Sequence, residues 1–216
     1  MRIALPAVLL TSLALGQSEL SLDEKSARRL IEKMRVDGKA GSAFDFRVTS
    51  TDRAYNYKLR ATWLTPEVIR ASARLAQLRE GLDAERTAAL VDEAMGVGDT
   101  VILIEIDPRE GSGIIPGNWT ATLMPEREEP ADPNGVKGVL KESIRSLKAL
   151  AGVGARDYAY DAFWVVFPLK LPSGEPLFRP SDRTARLAVY IHNKGGRVAW
   201  PIPASILNRA NAVSQP

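Results

Sequence analysis

Two pairs of carboxylates have spacings that are compatible with metal binding or catalysis. Glu105 and Asp107 stand two residues apart at the end of a predicted strand, where alternation places them on one face. Asp157 and Asp161 precede a second predicted strand. Clustered carboxylates can bind a hard cation such as calcium, and a carboxylate pair can hydrolyse a glycoside. Since no loop has the regular acidic spacing of a calcium-binding loop, we interpret these acids as charges that bound a sheet and predict no metal site.

Other catalytic groups are scarce. His192 is the only histidine, and the chain contains no cysteine. A serine hydrolase normally needs histidine as its base, and the Gly-x-Ser-x-Gly elbow is absent. A zinc site needs three or four ligands. We therefore interpret His192 as a structural or solvated residue, and the sequence predicts no catalytic residue and no cofactor.

All four tryptophans fall on predicted strands. Core packing explains them best, so we expect Trp63 and Trp164 to be buried. Trp119 and Trp200 would instead mark a binding surface if they were exposed together. The candidate surface residues are Glu105, Asp107, Trp119, His192 and Trp200.

The first sixteen residues have the pattern of a secretory signal peptide. Arg2 precedes a mostly apolar run over 3–15, and small residues at Ala14 and Gly16 favour cleavage before Gln17. The run is shorter than the roughly 20 residues that span a bilayer. A buried N-terminal helix is the alternative interpretation. We expect an exported protein, periplasmic or secreted, with no membrane span.

The charges nearly balance. The 29 basic and 26 acidic residues give a net charge of +3, which is too small to indicate a nucleic-acid partner. Acids crowd one loop, at Glu126, Glu128, Glu129 and Asp132. Basic residues populate the C-terminal stretch, at Arg179, Arg183, Arg186, Lys194, Arg197 and Arg209. This distribution favours a solvated, partly self-neutralising surface over a specific anionic partner.

Helix signals lie in the first half of the chain. A capping box from Ser21 to Glu24 and apolar residues at helical spacing predict an amphipathic helix over 22–36, ended by Gly38. Thr65-Pro66 predicts a second helix that runs to Glu80. A third is predicted from Asp83 to Gly96, antiparallel to the second.

Strand signals surround the helical pair. Alternation predicts a hairpin of 44–48 with 55–63, and the apolar segment 100–106 reads as a central strand that pairs with 119–123. Segment 162–167 predicts a second buried strand. Segments 187–192 and 197–200 give the strongest hairpin signal. Residues 136–150 could be helix or strand.

These elements predict an α+β fold. The expected architecture is a mainly antiparallel β-sandwich or curved sheet of six to seven strands, with an N-terminal helix and a helical pair inserted between strands. The predicted organisation is a signal peptide over 1–16, a helix and joint over 17–42, one β-rich domain over 43–207 with its helical insertion at 65–96, and a flexible tail over 208–216.

The function predicted from these features is broad. The chain reads as an exported, non-catalytic binding or structural domain whose partner is an unidentified extracytoplasmic protein or glycan. The alternative is an extracytoplasmic hydrolase built on carboxylates, with or without a metal. No motif is specific enough to indicate a family.

Overall fold

The computed structural model describes residues 19–40, 57–108, 119–127, 135–141, 161–191 and 194–213. Within these ranges the chain is α+β, with four α-helices and two four-stranded antiparallel sheets that do not close into a barrel. The helices are α1 (Glu24–Asp37), α2 (Pro66–Glu80), α3 (Ala84–Gly96) and α4 (Ala204–Val213). The strands are β1 (Tyr57–Leu64), β2 (Thr100–Pro108), β3 (Thr120–Pro125), β4 (Val136–Lys137), β5 (Val139–Leu140), β6 (Asp161–Phe167), β7 (Thr184–Ile191) and β8 (Lys194–Pro201).

The predicted α+β class is confirmed, but the strand count differs from prediction. The described residues contain eight strands rather than six or seven. Two of the eight, β4 and β5, have only two residues each and are too short to show a strand pattern in the sequence. They occupy the start of the segment that could have been helix or strand, and residues 142–150 lie outside the described ranges. Gly138 separates the two strands: β4 pairs with β3 in one sheet, and β5 pairs with β6 in the other. A glycine is needed there because a Cβ would overlap the side chain of Val165.

The first sheet has the order β1-β2-β6-β5. Residues 100–106 of β2 are all buried, as expected for a strand covered on both faces. One face of this sheet, which includes Ile102 and Ile104, belongs to the main hydrophobic core. The opposite face, which includes Leu103 and Trp164, packs with residues of α2 and α3 such as Val68 and Ala94. The predicted burial of Trp63 and Trp164 is confirmed, with exposures of 0% and 3%.

The second sheet has the order β4-β3-β7-β8. The prediction that 119–123 pairs with the preceding strand is wrong, because β3 pairs with β7 instead, with Leu123 opposite Leu187. Both edges of β2 are already occupied by β1 and β6. Strands β7 and β8 pair from Thr184 opposite Pro201 to Ile191 opposite Lys194. The predicted C-terminal hairpin therefore pairs as expected and extends further along the chain than the sequence indicated.

One hydrophobic cluster contains residues from both sheets. Trp63 of β1 and Trp200 of β8 have ring centroids 5.7 Å apart, and Phe178 lies 6.1 Å from Trp63. The Nε1 of Trp63 donates a 2.8 Å hydrogen bond to Oγ1 of Thr100, which satisfies its buried polar group. Large aromatic rings therefore supply much of the contact between elements that are distant in sequence.

The helix ends follow from capping chemistry. Thr65 caps α2, and Gly81 follows that helix with φ 65°, the left-handed conformation that glycine adopts without strain. Asp83 caps α3 by accepting from the backbone N of Arg86. The first helix departs from prediction: Asp23, rather than Ser21, is its N-cap and accepts from the N of Ser26 at 2.9 Å.

Gly38 ends α1 and brings the chain against the edge of the first sheet. The backbone N of Ala61 donates to the carbonyl oxygen of Gly38 at 2.7 Å, and the N of Ala40 donates to Leu59 at 3.0 Å. A Cβ on Gly38 would overlap the carbonyl of Ala61. The glycine thus allows residues 38–40 to cover an edge strand that would otherwise expose unpaired backbone groups.

The C-terminal region differs from its sequence-based interpretation. Residues 208–213, predicted to be part of a flexible tail, form the second half of α4, and Ala210 is fully buried. Arg209 donates to the carbonyl oxygens of Met95 at 2.8 Å and Gly98 at 3.0 Å. This arginine therefore satisfies carbonyls at the end of α3, where a cation is favourable.

Two further predictions fall on residues that the structure does not describe. The signal peptide and its cleavage site lie in 1–18, and the first arm of the predicted hairpin lies in 44–48. Within the described ranges, none of the helices combines the length and apolar character required to cross a bilayer.

Candidate functional site

Glu105 is buried rather than exposed. It is 1% exposed on β2 and forms a two-pronged ion pair with Arg35 of α1. Its Oε1 accepts from Nη2 at 3.2 Å, and its Oε2 accepts from Nε at 3.4 Å. Both carboxylate oxygens are thus engaged by one guanidinium, an arrangement that attaches α1 to the first sheet.

The remaining polar candidates from the sequence are described only in part. Asp107 lies opposite Lys58 in the β1–β2 ladder, and Asp161 lies opposite Ile106 in the β2–β6 ladder. Their side chains, and all of Asp157 and His192, lie outside what the structure describes. Among the described residues, no three histidine or acidic side chains are grouped as metal ligands.

Trp119 and Trp200 do not form an exposed aromatic surface. Trp119 is 9% exposed and packs edge-on against Phe163, with ring centroids 4.9 Å apart. Trp200 is 1% exposed and packs on Trp63. The buried Nε1 of Trp200 has no acceptor among the described residues. Their placement as surface candidates is therefore corrected: both contribute to the core shared by the two sheets.

The second sheet presents a different kind of surface. Along β3 and β7, buried residues alternate with residues that are exposed or half-buried, except at Ala188 of β7, which is buried although its register places it on the outer face. The buried set, which includes Leu123 and Leu187, belongs to the core. The opposite set forms the outer face of the sheet, which we call the basic face. It consists of Thr120, Thr122, Met124, Lys137, Arg186, Ala188, Tyr190, Gly195, Arg197 and Ala199.

Strand register places two cations at opposite ends of one row on the basic face. Lys137 of β4 lies opposite Thr122, which lies opposite Ala188, which in turn lies opposite Arg197 of β8. Three interstrand steps separate Lys137 from Arg197, about 14 Å at the usual spacing of paired strands. Both residues are exposed, and neither forms an ion pair with any described residue.

Arg186 occupies the next row and is partly neutralised. Its Nη1 lies 3.8 Å from Oε1 of Glu126, which follows the end of β3, and its Nη2 lies 3.8 Å from Sδ of Met124. Glu126 stands at the margin of the sheet, because its backbone N donates to Thr184 at the start of β7. The four strands themselves contain no aspartate or glutamate. Among the described residues, the basic face therefore keeps a positive charge away from the margin at Glu126.

Tyr190 is the large exposed aromatic residue of the basic face. It is 43% exposed and lies between Thr120 and Gly195 across the sheet. A Cβ added to Gly195 would stand only 2.6 Å from Cε1 of Tyr190 and 2.8 Å from its Cδ1. The ring therefore lies across the glycine of the neighbouring strand, which fixes its orientation while leaving part of it in solvent.

Arg127 and Arg179 make structural contacts with a buried carboxylate, Asp182. Asp182, 7% exposed, accepts from Nε and Nη2 of Arg127 at 3.1 and 3.0 Å and from the backbone N of Arg179 at 2.8 Å. Burial alone would raise the pKa of Asp182, but the hydrogen bonds from Arg127 and Arg179 outweigh it and lower the pKa below its ordinary value. This carboxylate thus neutralises charge beside β3 and β7 without reaching the row of Lys137 and Arg197.

The basic face is the candidate functional site. Sequence reasoning noted Arg186 and Arg197 only as members of a basic stretch and missed Lys137 and Tyr190. The alternating pattern of β7 was the available signal, because it places Arg186 and Tyr190 on the polar face. The register that adds Lys137 depends on pairing between distant segments. Comparisons with protein-family models, curated proteins and solved structures give no match to this chain.

Proposed function

We propose that this protein is an exported, non-catalytic binding domain that uses the basic face to hold an anionic partner. The observation that carries the proposal is the pair of exposed cations, Lys137 and Arg197, at the two ends of one row on a sheet whose strands contain no acidic residue. Charges of one sign on a surface attract a partner of the opposite sign and accelerate its encounter. This departs from the self-neutralising surface that the sequence favours.

The architecture that we propose for this function is a two-layer β-sandwich. It is supported by the hydrophobic cluster that contains inward residues of both sheets. In such an arrangement the first sheet and its helices form a rigid support. The outer face of the second sheet is then free to vary in polarity without loss of core contacts.

The alternative, a carboxylate-based hydrolase, receives no comparable support among the described residues. Glu105 is the only one of its candidate acids whose side chain is described, and Arg35 engages both of its oxygens. A general acid or nucleophile must instead reach the substrate. The binding function is therefore the one that we carry forward.

Inorganic polyphosphate provides a direct test of anion binding. We expect the protein to bind it at low salt, and K137Q/R197Q to weaken the affinity at least about tenfold, since two charge contacts are lost. The matched control is K25Q/R29Q, which removes two exposed cations from α1. Calorimetric titration of the three proteins measures the difference. Equal weakening by both double variants, or no binding by the wild type, would contradict the proposal.

Export is a separate part of the proposal. It rests on the charge, apolar run and small residues of 1–16, and it predicts a mature chain that begins at or close to Gln17. N-terminal sequencing of protein from the extracytoplasmic fraction checks this. An intact Met1 terminus recovered from the cytoplasm would contradict it.

A further inference from the structure

We infer that the anionic partner is an acidic polysaccharide, a chain of sugars that carry carboxylates. The inference rests on the proposed function and adds the chemical class of the ligand. It depends on three features of the basic face: the distance between its two exposed cations, the position of Tyr190, and the neutral hydroxyls on the same face.

The spacing of the cations indicates an extended ligand. Lys137 and Arg197 lie in the same row, about 14 Å apart across the sheet, which is further than one phosphate or carboxylate can bridge. A chain that carries a negative charge at intervals can contact both. The row runs perpendicular to the strands, so such a chain would cross all four of them.

Tyr190 indicates a ligand with flat apolar faces between its charges. Its ring lies across Gly195 of the neighbouring strand. Tyr190 belongs to β7, which lies between the strands that carry the two cations, and it stands two residues after Ala188, in the adjacent row of the same face. An exposed aromatic ring held by its neighbour offers a fixed surface on which the C–H face of a sugar can stack. Inorganic anions have no such face.

Hydroxyl groups complete the recognition. Thr120 lies directly opposite Tyr190, and Thr122 lies in the row that joins Lys137 to Arg197. A hydroxyl can donate and accept, as sugar hydroxyls also do. The face thus combines cations, one aromatic ring and neutral hydroxyls, the groups that a carboxylated sugar chain would use.

The same features fit single-stranded nucleic acid less well. Proteins that bind single strands stack successive bases on several aromatic side chains. The described part of the basic face has one exposed aromatic residue, Tyr190, and the whole chain carries a net charge of only +3. We therefore do not infer nucleic acid as the ligand, and the test includes oligo(dT) as a competing probe.

The test compares four probes by titration calorimetry: a hexamer of galacturonic acid, a neutral hexamer of glucose, inorganic polyphosphate and oligo(dT). We expect the galacturonate hexamer to bind tighter than the glucose hexamer and oligo(dT). We expect Y190L to weaken galacturonate binding about fivefold to tenfold, the range of an aromatic contact, and to leave polyphosphate affinity within about twofold. Y190F should retain the galacturonate affinity of the wild type.

A second variant guards against a Tyr190 substitution that disturbs the sheet. T120V keeps the shape of an exposed side chain and removes its hydroxyl, so it should weaken galacturonate binding about threefold and leave polyphosphate binding unchanged. The inference would be refuted if neither Y190L nor T120V changed the galacturonate affinity. It would also be refuted if oligo(dT) bound more tightly than the galacturonate hexamer and Y190L weakened that binding. If K137Q/R197Q still weakens polyphosphate binding in those cases, the proposed function stands without the glycan. If K137Q/R197Q does not weaken polyphosphate binding, both the proposed function and the glycan inference are overturned.

Discussion

The two sheets of this protein have the same number of strands but opposite surroundings. The central strand of the first sheet, β2, is buried on both faces between the shared core and the helices α2 and α3, whereas the short edge strand β5 is exposed. The second sheet buries one face, while most residues of its other face are exposed or half-buried. In the first sheet, the charged Glu105 is buried against Arg35, whereas in the second sheet Lys137 and Arg197 stand exposed.

The difference separates residues that stabilise the fold from residues that are free for recognition. A residue on the first sheet is constrained by close packing, so its type is set by volume and by hydrogen bonding. Lys137 and Arg197 on the outer face of the second sheet are exposed and form no ion pair with a described residue, so neither constraint sets their type. The polar and charged types found there are therefore better evidence of function than those found around Glu105.

The largest expected effect comes from the helix-facing side of the first sheet. Trp164→Ala should lower the free energy of unfolding by about 3–5 kcal/mol, because it removes a buried ring and leaves a cavity. Arg197→Ala on the exposed side of the second sheet is the matched control and should change it by less than about 0.5 kcal/mol. Denaturant melts measure both. A loss below about 1 kcal/mol for Trp164→Ala would remove the contrast between the sheets.

The next effect concerns the buried ion pair. Arg35→Met should lower the free energy of unfolding by about 2–3 kcal/mol, because it leaves the carboxylate of Glu105 buried without this partner. R35M/E105L also removes the unpaired carboxylate of Glu105, so the double variant should be more stable than Arg35→Met alone. Denaturant melts of Arg35→Met, Glu105→Leu and the double variant, compared with the wild type, complete the double-mutant cycle. Strictly additive losses would mean that the pair has no structural role.

A smaller, pH-dependent effect is expected at Asp182. Since its folded pKa lies below the ordinary value, its stabilisation is fully present above about pH 4 and is lost as the pH falls through the lowered folded pKa. Asp182→Asn should therefore cost about 1–3 kcal/mol at pH 7 and progressively less in acid. Thermal melts from pH 7 to pH 2 follow the difference. A cost that is constant with pH would exclude the carboxylate as its source.

The sequence predicted those features of the fold that depend on local chemistry. Thr65 and Asp83 cap their helices as expected, and Gly81 ends the second helix, because a cap depends on a few neighbouring residues. The buried strand around Ile102 and the C-terminal hairpin also follow from short patterns. These features did not require knowledge of distant partners.

The remainder depends on contacts between distant segments. Strand β3 pairs with β7, whose residues lie 60 to 70 positions later in the chain, a choice that alternation alone does not encode. The sequence predicts a tail over 208–216, whereas 208–213 belong to the helix over 204–213, because the polar composition of these residues conceals the burial of Ala210. The basic face was missed for the same reason, since Lys137, Tyr190 and Arg197 become neighbours only through strand register.

The central claim is that the outer face of the second sheet is the binding surface, and amide chemical-shift mapping tests it most directly. The galacturonate hexamer and polyphosphate are titrated separately into the protein at low salt. For both probes the largest shifts should fall on Thr122, Ala188, Tyr190 and Arg197, while α1 and α2 stay unchanged. Shifts that cluster on the helices for both probes, or that are absent throughout, would contradict this assignment of the binding surface.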